Sequence, residues 1–340
     1  MITISACMIV KNEEKVLARC LDSLKGIWDE LIIVDTGSTD KTKEIAAEYT
    51  DKIYDFKWVD DFSAARNFSI SKATCDYIYV PDADEVLDEA NRERFLKLKE
   101  KLLPEIEVVE MRYVNQLQNG TVYNFDKEYR PKLYKRLREF TFIEPVHEMV
   151  RLDPVVFESD IDIIHMPESV HSGRDIKIFE KEVAKGQILS DRLAKMYAKE
   201  LLISGQEADF QNAVAFFKAL AGRTENEDLL KLSCIVVAEA AAIRKDPEDL
   251  LKYALKDVAN DGSSETCTIL GAYYETKGDL SEAAIWYYNA RYETEPQANL
   301  KYKFELPLKG LARVYRALGN NTTAESYEKE LAGLSKKTIE

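Results

Sequence analysis

The sequence predicts an α/β domain with a mainly parallel sheet, followed by an all-α helical repeat domain. In the first half, short apolar strands alternate with stretches whose apolar residues recur at helical spacing. Repeated β-α units of this length form parallel sheets with helices on both faces. From about Ile176 onward only the helical pattern remains. A chain of 340 residues is long enough for two cores, and we place the domains at residues 1–174 and 175–340.

The individual elements of the α/β domain follow from local patterns. Apolar runs predict strands at residues 2–10, 31–34, 52–58 and 77–80, and helical spacing predicts helices at residues 15–24, 42–49 and 63–73. Gly26 provides a stop after the first helix, and Pro81, which cannot donate a ladder hydrogen bond, ends the last strand. Parallel strands would bring the segments after Val10, Val34 and Val80 to one edge of the sheet.

Composition limits the partners and the compartment. The formal net charge of −14 disfavours a nucleic-acid partner, because binding phosphate backbones requires clustered Lys and Arg. The five cysteines are scattered, which fits a reducing compartment better than a disulfide framework or a zinc site. No apolar run approaches the roughly 18 residues of a membrane span, and the start lacks the basic region of a signal peptide. A cytoplasmic protein is expected.

Three acidic residues, Asp82, Asp84 and Glu85, follow the strand at residues 77–80. Ligands of open α/β sheets bind just outside the carboxyl ends of the strands. Carboxylates that crowd such a crevice repel one another unless a cation joins them, and oxygen ligands of this kind suit Mg²⁺ or Mn²⁺. The segment therefore predicts a divalent metal site, with an ordinary acidic loop as the alternative.

The other strand ends also carry polar residues. Lys11-Asn12-Glu13-Glu14 follows the first strand, and Asp35 ends the second, where it could accept from a ribose or a base or act as an N-cap or Asx-turn residue. The sequence has no glycine-rich phosphate loop, since its first glycine is Gly26, so nucleotide phosphates would be held by a metal and a basic side chain. Arg66, at the start of the third helix, could provide that charge or form a surface salt bridge.

Four segments in this order resemble the family 2 glycosyltransferases of the A-type fold: Cys7–Glu14, Leu31–Asp40, Ala65–Asn67 and Asp82–Glu85. The resemblance covers about residues 1–170. It implies that the α/β domain has the A-type glycosyltransferase fold and is catalytic. It further implies a nucleotide-diphosphate-sugar donor, expected to be a UDP-sugar, a Mn²⁺ or Mg²⁺ ion, and inversion at the anomeric carbon.

The resemblance also assigns roles by motif position. Asp35 would contact the uracil or ribose, Asp82 would face the ribose, and Asp84 would bind the metal. Many family members have two consecutive aspartates where this chain has Asp35-Thr36. The backbone of residues 9–11 would line the base. The full set implied for donor binding is Ile9, Val10, Lys11, Asn12, Glu13, Asp35, Arg66, Asp82 and Ala83.

Residues 101–174 are expected to form the acceptor side. Asn119-Gly120, between two strand-like runs, predicts a β-hairpin. An acceptor hydroxyl or thiol needs a carboxylate within reach to take its proton. In the subgroup of the family with Lys-Asn-Glu-Glu near the start, a His-Glu pair recurs at the position of His147 and Glu148. We therefore predict Glu148 as the catalytic base, with Glu144 as the alternative.

All three histidines of the chain, His147, His165 and His171, lie within this acceptor segment. Imidazole and carboxylate both suit Mn²⁺, so one of them is a natural further ligand. His165 follows the apolar run Ile161–Ile164 and should therefore also end a strand. We predict His165 as a metal ligand beside Asp84, with an ordinary surface or core histidine as the alternative.

The C-terminal half resembles a tetratricopeptide repeat array. Small and aromatic residues fall in repeat register: Gly271, Tyr274, Gly278, Ala283, Tyr287 and Ala290. A weaker copy comprises Leu311–Gly319 with Ala324, and its Gly319 is 41 residues after Gly278, whereas the usual period is about 34 residues. Such helix pairs must stack to bury their apolar faces. The stack could bind a peptide or protein acceptor, mediate homodimerisation, or simply cap the catalytic domain.

Two classes of function remain open from the sequence. In the first, the protein is a metal-dependent, inverting glycosyltransferase whose acceptor is a peptide or protein side chain, or else a glycan or a lipid. In the second, the repeats mediate interactions and the α/β domain is an inactive nucleotide-binding scaffold. The combination of Asp35, Arg66, Asp82 and Asp84 favours the first class, because an idle site has no physical need for clustered carboxylates.

Overall fold

A computed structural model of the chain describes residues 1–114, 127–138, 142–143, 145–146, 149–150, 154–166, 173–186 and 188–337. The predicted hairpin at Asn119-Gly120 lies outside these residues. The chain divides into two compact units, residues 1–171 and 172–340. The first is an α/β unit, and the described part of the second contains helices without strands. The predicted fold class is therefore confirmed.

The first unit is built on a sheet of mixed direction. The strands of the chain are β1 (Ile4–Val10), β2 (Glu30–Asp35), β3 (Ile53–Asp55), β4 (Tyr77–Tyr79), β5 (Glu85–Val86), β6 (Val108–Val114), β7 (Lys127–Lys135), β8 (Phe142–Ile143), β9 (Met149–Val150) and β10 (Val156–His165). Among the described residues, eight of them form one sheet in the order β3-β2-β1-β4-β7-β6-β10-β5, and β8 pairs with β9. Neighbours within β3-β2-β1-β4 are parallel, whereas β7 and β5 run antiparallel to their partners.

Helices cover both faces of this sheet, as predicted. They are α1 (Leu17–Ser23), α2 (Thr42–Ala47), α3 (Phe62–Ile70) and α4 (Glu89–Lys101). Side chains alternate between faces along a strand. In β1, Met8 belongs to the apolar cluster that includes Leu21 of α1 and Phe95 of α4. Its neighbour Cys7 belongs to the opposite cluster, against which Phe68 of α3 packs. The two clusters fix the register of β1 between its helical layers.

A buried carboxylate joins the strands at the edge opposite their carboxyl ends. Glu30 begins β2 and is 7% exposed. It accepts hydrogen bonds from Ser5, from Lys52 Nζ at 2.6 Å and from the Thr74 backbone N–H at 2.8 Å. Although burial raises the pKa of Glu30, these partners lower it to about 2. The ionised side chain thus links β1, β2 and the approach to β4.

The second unit is a succession of helices. They are α5 (Arg174–Ala184), α6 (Asp191–Ser204), α7 (Glu207–Ala221), α8 (Glu227–Arg244), α9 (Pro247–Val258), α10 (Ser264–Lys277), α11 (Leu280–Tyr288), α12 (Lys301–Phe304), α13 (Leu306–Ala317) and α14 (Asn321–Lys337), with a π-helical turn at Asn289–Glu293. Gly278 and Gly319 have positive φ and end the first helices of the pairs α10-α11 and α13-α14. None of the described helices combines the length and apolar character of a membrane span.

The repeat register predicted around Tyr287 has a steric basis. The Tyr287 ring is 2% exposed and lies between two glycines on neighbouring helices. A Cβ atom added at Gly271 would come within 2.7 Å of this ring, and one added at Gly310 within 2.5 Å. The hydroxyl of Tyr287 donates to Glu275 Oε2 at 2.7 Å. Helices α10 and α13 therefore approach the ring closely because both positions lack a side chain.

The 41-residue spacing between Gly278 and Gly319 reflects an ordered connection. Residues 294–305 join the π-helical turn to α13, and Glu265 of α10 holds them through the backbone N–H groups of residues 297, 298 and 299. The side chain of Asn299 donates to the Leu202 carbonyl of α6 at 2.9 Å. Thr268 of α10 donates to the Tyr302 carbonyl at 2.9 Å. The extra residues therefore form an ordered segment that is hydrogen-bonded to both α10 and α6.

Candidate functional site

The carboxyl ends of β1 and β2 are joined into one surface. Val10 pairs with Asp35 in the parallel register. Beyond the strands, the Asn12 side chain accepts from the Thr39 backbone N–H at 2.8 Å, and the Asn12 backbone N–H donates to Ser38 Oγ at 2.9 Å. Asn12 has a φ of 57°, a conformation that asparagine tolerates better than most residues. The structure thus brings the predicted donor-binding residues of both strand ends together.

Within this surface, Asp35 stabilises its own turn. It is 2% exposed, and its carboxylate accepts from the backbone N–H groups of Gly37 at 3.1 Å and Ser38 at 3.0 Å. This is the Asx-turn alternative that the sequence left open; the N-cap alternative is wrong, because α2 is preceded by Lys41. A contact between Asp35 and a nucleotide stays a prediction.

Asp82 lies between two cations. Arg66 Nη2 is 3.3 Å from its Oδ1 atom, and Lys132 Nζ is 3.2 Å from its Oδ2 atom. Burial alone would raise the pKa of Asp82, but the charges of Lys132 and Arg66 outweigh this effect and hold that pKa well below its usual range. The Asp82 side chain remains 40% exposed. It is therefore an ionised carboxylate, held from two sides and accessible to a ligand.

Glu85 completes this row of charges. Its carboxylate is 2% exposed, lies 2.5 Å from Lys132 Nζ and accepts from the Asp82 backbone N–H at 3.1 Å. Burial and the nearby charge of Asp82 raise the pKa of Glu85 above its usual value, and the charge of Lys132 opposes this effect. Although burial lowers the pKa of Lys132, the two carboxylates raise it above its usual value. Two buried cations and two carboxylates therefore balance one another.

Arg66 is not the surface salt bridge that the sequence left as an alternative. It lies in the second turn of α3, not at its start, and is 6% exposed. The same helix carries Asn67, which exchanges two hydrogen bonds of 2.9 Å with the backbone of Phe142 in β8. Helix α3 thus points one side chain at Asp82 and anchors the β8-β9 hairpin with the next. Ala83, predicted beside the donor, is buried.

The two predicted metal ligands lie side by side. Asp84 Oδ2 is 3.0 Å from His165 Nε2, and both side chains are partly exposed. Antiparallel pairing of β5 with β10 places His165 opposite Glu85, and the Met166 backbone N–H donates to the Asp84 carbonyl at 2.9 Å. As predicted, His165 is the last residue of a strand.

This pair fits a divalent cation as two of its ligands. Neighbouring ligands of an octahedral ion with bonds of about 2.1 Å are about 3 Å apart, which matches the separation of Asp84 and His165. Carboxylate oxygen and imidazole nitrogen are both suitable for Mn²⁺. In the described part of the chain, no group of three or more acidic, histidine or cysteine side chains is placed to hold a metal. The remaining positions would fall to substrate phosphates and water, as is usual for such ions.

Sequence reasoning missed the part that β7 plays in the site. Lys132 is the central cation, and Arg130 of the same strand lies 4.1 Å from the centre of the Tyr113 ring. That ring in turn lies 5.2 Å from the ring of His165. A signal was present, because Lys132 directly precedes Leu133 and Tyr134, which are both buried. A lysine within a buried run needs a charged partner.

The acidic candidates for the base are not part of this geometry. Glu144, Glu148, His147 and His171 all lie outside the described residues. Between the first two, the Pro145 carbonyl accepts from the Phe62 backbone N–H of α3 at 2.8 Å. The role of Glu148 stays a prediction.

Comparison with known proteins places the first unit in a family. Residues 5–151 match the domain described as glycosyl transferase family 2. A protein of Rickettsia felis, named as an uncharacterized glycosyltransferase, is 30% identical over 215 residues, which cover 58% of this chain and 71% of that protein. The similarity therefore extends over most of the length of this relative.

Of two further matches, one is shorter and the other has a lower sequence identity. A TPR repeat-containing protein of Synechococcus elongatus is 54% identical over 87 residues, or 26% of this chain and 22% of that protein. The chain thus spans about a fifth of the length of this relative. The crystal structure of glucosyl-3-phosphoglycerate synthase from Mycobacterium tuberculosis with Mn²⁺ and UDP-glucose is 15% identical, covers 56% of this chain and 81% of that chain, and gives a TM-score of 0.40.

Proposed function

The chain belongs to the family 2 glycosyltransferases, and on that premise we propose that it transfers a sugar from a UDP-sugar, in a metal-dependent reaction that inverts the anomeric carbon. The observation that carries the proposal is the 3.0 Å approach of Asp84 to His165 beside the buried charges around Asp82. A carboxylate-imidazole pair and a nearby arginine at the carboxyl ends of parallel strands suit a nucleotide diphosphate and its cation.

In this proposal each residue of the site has a defined task. Asp84 and His165 would hold Mn²⁺ or Mg²⁺, and the ion would supply positive charge to the diphosphate of the donor. The exposed part of the Asp82 carboxylate accepts from a ribose hydroxyl, because the nearby cations keep it ionised. Asp35 and the backbone after Val10 line the base. Arg66 adds positive charge next to the diphosphate.

Inversion places further demands on the acceptor side. The acceptor and the leaving UDP lie on opposite faces of the sugar, so the base belongs across the pocket from Asp84. Glu148, with Glu144 as its competitor, is the proposed group that takes the acceptor proton. The neighbouring β8-β9 hairpin is joined to α3, the helix that carries Arg66. This connection supports placing the base near the donor site.

We further propose that the acceptor is a peptide or protein side chain held by the helical repeats. Stacked helix pairs of this kind present extended surfaces for peptides or for a second subunit. The helix pairs α10-α11 and α13-α14, with their glycine stops, support a repeat array. If the repeats alone were functional and the α/β domain were inactive, no sugar transfer or donor hydrolysis would occur under any condition.

Calorimetry of the full chain with UDP tests the metal-dependent donor site. We expect binding with Mn²⁺ present and loss of binding when a chelator removes the ion. Hydrolysis of UDP-sugars, followed as release of UDP, then identifies the donor sugar. Binding of UDP that is indifferent to the chelator would contradict metal dependence. Binding of UDP without hydrolysis or transfer from any UDP-sugar would favour the inactive nucleotide-binding scaffold, and absence of UDP binding would contradict the proposed donor site.

A further inference from the structure

Lys132 occupies the centre of a row of alternating charges drawn from three elements. Arg66 comes from α3, Asp82 and Glu85 come from the segment after β4, and Lys132 comes from β7. Lys132 Nζ lies 3.2 Å from Asp82 and 2.5 Å from Glu85. The backbone of Lys132 is also joined to the segment that follows β4, because the Val80 N–H donates to the Lys132 carbonyl at 2.9 Å.

The accessibility of these groups separates their roles. The Lys132 side chain is only 7% exposed, and Glu85 is 2% exposed, so a donor bound at the sheet edge would meet neither directly. Lys132 has two carboxylate partners here, Asp82 and Glu85. Of these two, Asp82 faces outward, with 40% of its side chain exposed. Through its hydrogen bonds, Lys132 would therefore act on such a ligand by way of Asp82.

We infer that Lys132 is a positioning residue that holds the Asp82 carboxylate in its binding orientation, with Glu85 as the counter-charge that allows a lysine to be buried there. The inference rests on the proposed function, in which Asp82 contacts the ribose of the donor. Each oxygen of Asp82 has its own cation, so removing Lys132 would release Oδ2 and leave the carboxylate held by Arg66 alone. The Tyr113 ring lies near both Lys132 and His165: its centre is 5.6 Å from Lys132 Nζ and 5.2 Å from the centre of the His165 ring.

The test must remove Lys132 without leaving an unpaired buried carboxylate, which would destabilise the fold by itself. The double variant K132M/E85Q removes both charges of the inner pair while keeping similar side-chain shapes. We expect it to fold, to bind UDP in the presence of Mn²⁺ about 10–100-fold more weakly than the wild type, and to bind Mn²⁺ alone within about threefold of the wild type. The magnitude is that of weakening one hydrogen bond between the ligand and a charged group.

The chain offers a matched control pair. Lys99 lies 2.7 Å from Asp29, and their side chains are 7% and 40% exposed, the same exposed fractions as those of Lys132 and Asp82. This pair lies near Ile27 and the start of β1, away from the carboxyl ends of the strands. The double variant K99M/D29N should therefore keep the UDP affinity of the wild type. A similar loss in both double variants would mean that burying fewer charges merely loosens the domain, and would overturn the inference.

The outcomes distinguish this inference from the proposed function. If wild-type protein fails to bind UDP with Mn²⁺, the proposed function is wrong. If wild type binds and K132M/E85Q binds equally well, Lys132 has only a structural role. If K132M/E85Q does not fold, K132Q/E85Q takes its place, because it also leaves no unpaired buried charge and its two amides can bond to each other. The comparison of D82N with D82N/K132Q/E85Q then decides: equal UDP affinities support action through Asp82, and a further loss of more than about threefold contradicts it.

Discussion

Asp84 Oδ2 lies 3.0 Å from His165 Nε2, although 81 residues separate the two in the chain. The contact depends on the short strand β5, which turns back directly after Asp84 and pairs antiparallel with the end of β10. The acidic segment between β4 and β5 and a strand that ends in a histidine thereby meet at one edge. This arrangement is the structural basis for the proposed metal site.

The first prediction is that Asp84→Asn abolishes metal-dependent UDP binding and leaves the fold intact. The amide keeps the shape of the side chain but removes the charge that faces the cation. Because loss of a supporting contact around a metal already costs about 10–100-fold, loss of a ligand should weaken binding by more than about 100-fold. Calorimetry with UDP and Mn²⁺ measures the affinity, and thermal unfolding checks the fold.

A second variant at the same contact makes the test specific. His165→Asn should weaken UDP binding in the presence of Mn²⁺ in the same direction. Asp162→Asn serves as the control, because Asp162 lies in the same strand and forms an ion pair of 2.6 Å with Arg112. Unchanged UDP affinity in both Asp84→Asn and His165→Asn would mean that the two residues form an ordinary hydrogen bond at a strand end and do not bind the metal.

The sequence allowed Asp84 and His165 to be predicted as site residues because Asp84 follows a recognisable apolar strand and His165 ends one. The antiparallel pairing of β5 with β10 that brings them together was not predicted, whereas the helices follow from apolar spacing. Lys132 could not be placed in the same way. Its partners depend on β7 inserting antiparallel between β4 and β6, a pairing that reverses the predicted parallel pattern. Only that insertion brings a lysine 50 residues away onto Asp82.

The helical half shows the same limit. Glycine and aromatic spacing predicted the repeat register around Tyr287, because the repeat pattern encodes it locally. The segment at residues 294–305 was visible only as an excess over the usual repeat length. Its position depends on the buried carboxylate of Glu265 and on the contact from Asn299 to Leu202, which is 97 residues away. Such long-range hydrogen bonds leave no local pattern in the sequence.

The second prediction concerns acid stability and Glu30. The folded-state pKa is about 2 and the usual value is 4.5, so the ionised form is favoured in the folded protein. Its contribution, on the order of 3 kcal/mol, is complete above about pH 4.5 and is lost as the pH falls through 2. Glu30→Gln should therefore lower the free energy of unfolding at pH 7, and the difference from wild type should shrink towards pH 2.

Denaturant unfolding at several pH values measures this difference. Glu48→Gln is a suitable control, because Glu48 is exposed at the end of α2 and should change stability by less than about 0.5 kcal/mol. A constant difference between Glu30→Gln and wild type across the acid range would show that packing, not ionisation, accounts for the effect.

The third prediction concerns the glycines that flank Tyr287. A methyl group at Gly310 would meet the aromatic ring at 2.5 Å, so Gly310→Ala must displace the ring or the helix. Overpacking of this kind costs about 1–3 kcal/mol. Gly271→Ala, with a contact at 2.7 Å, should behave similarly. Thermal unfolding should show a lower melting temperature for both variants.

Gly333→Ala, in the same unit, should have the opposite effect on the melting temperature. Gly333 lies in α14 with no atom within 4 Å of an added Cβ. Alanine there should stabilise the helix by about 0.5–1 kcal/mol, because glycine loses more backbone freedom on folding. If Gly310→Ala raised the melting temperature as Gly333→Ala is expected to do, the close approach of α13 to Tyr287 would be wrong.

The last prediction identifies the general base. Glu148→Gln should leave UDP affinity nearly unchanged, because the base acts on the acceptor and not on the nucleotide. Turnover should fall by about 10²–10⁴-fold, the usual contribution of a positioned base. A thiol acceptor would be less sensitive, since a few per cent of it is already ionised at neutral pH. The measurement is turnover of Glu148→Gln beside Glu144→Gln at matched UDP-sugar saturation. Near-wild-type turnover in the first and collapse in the second would assign the role to Glu144.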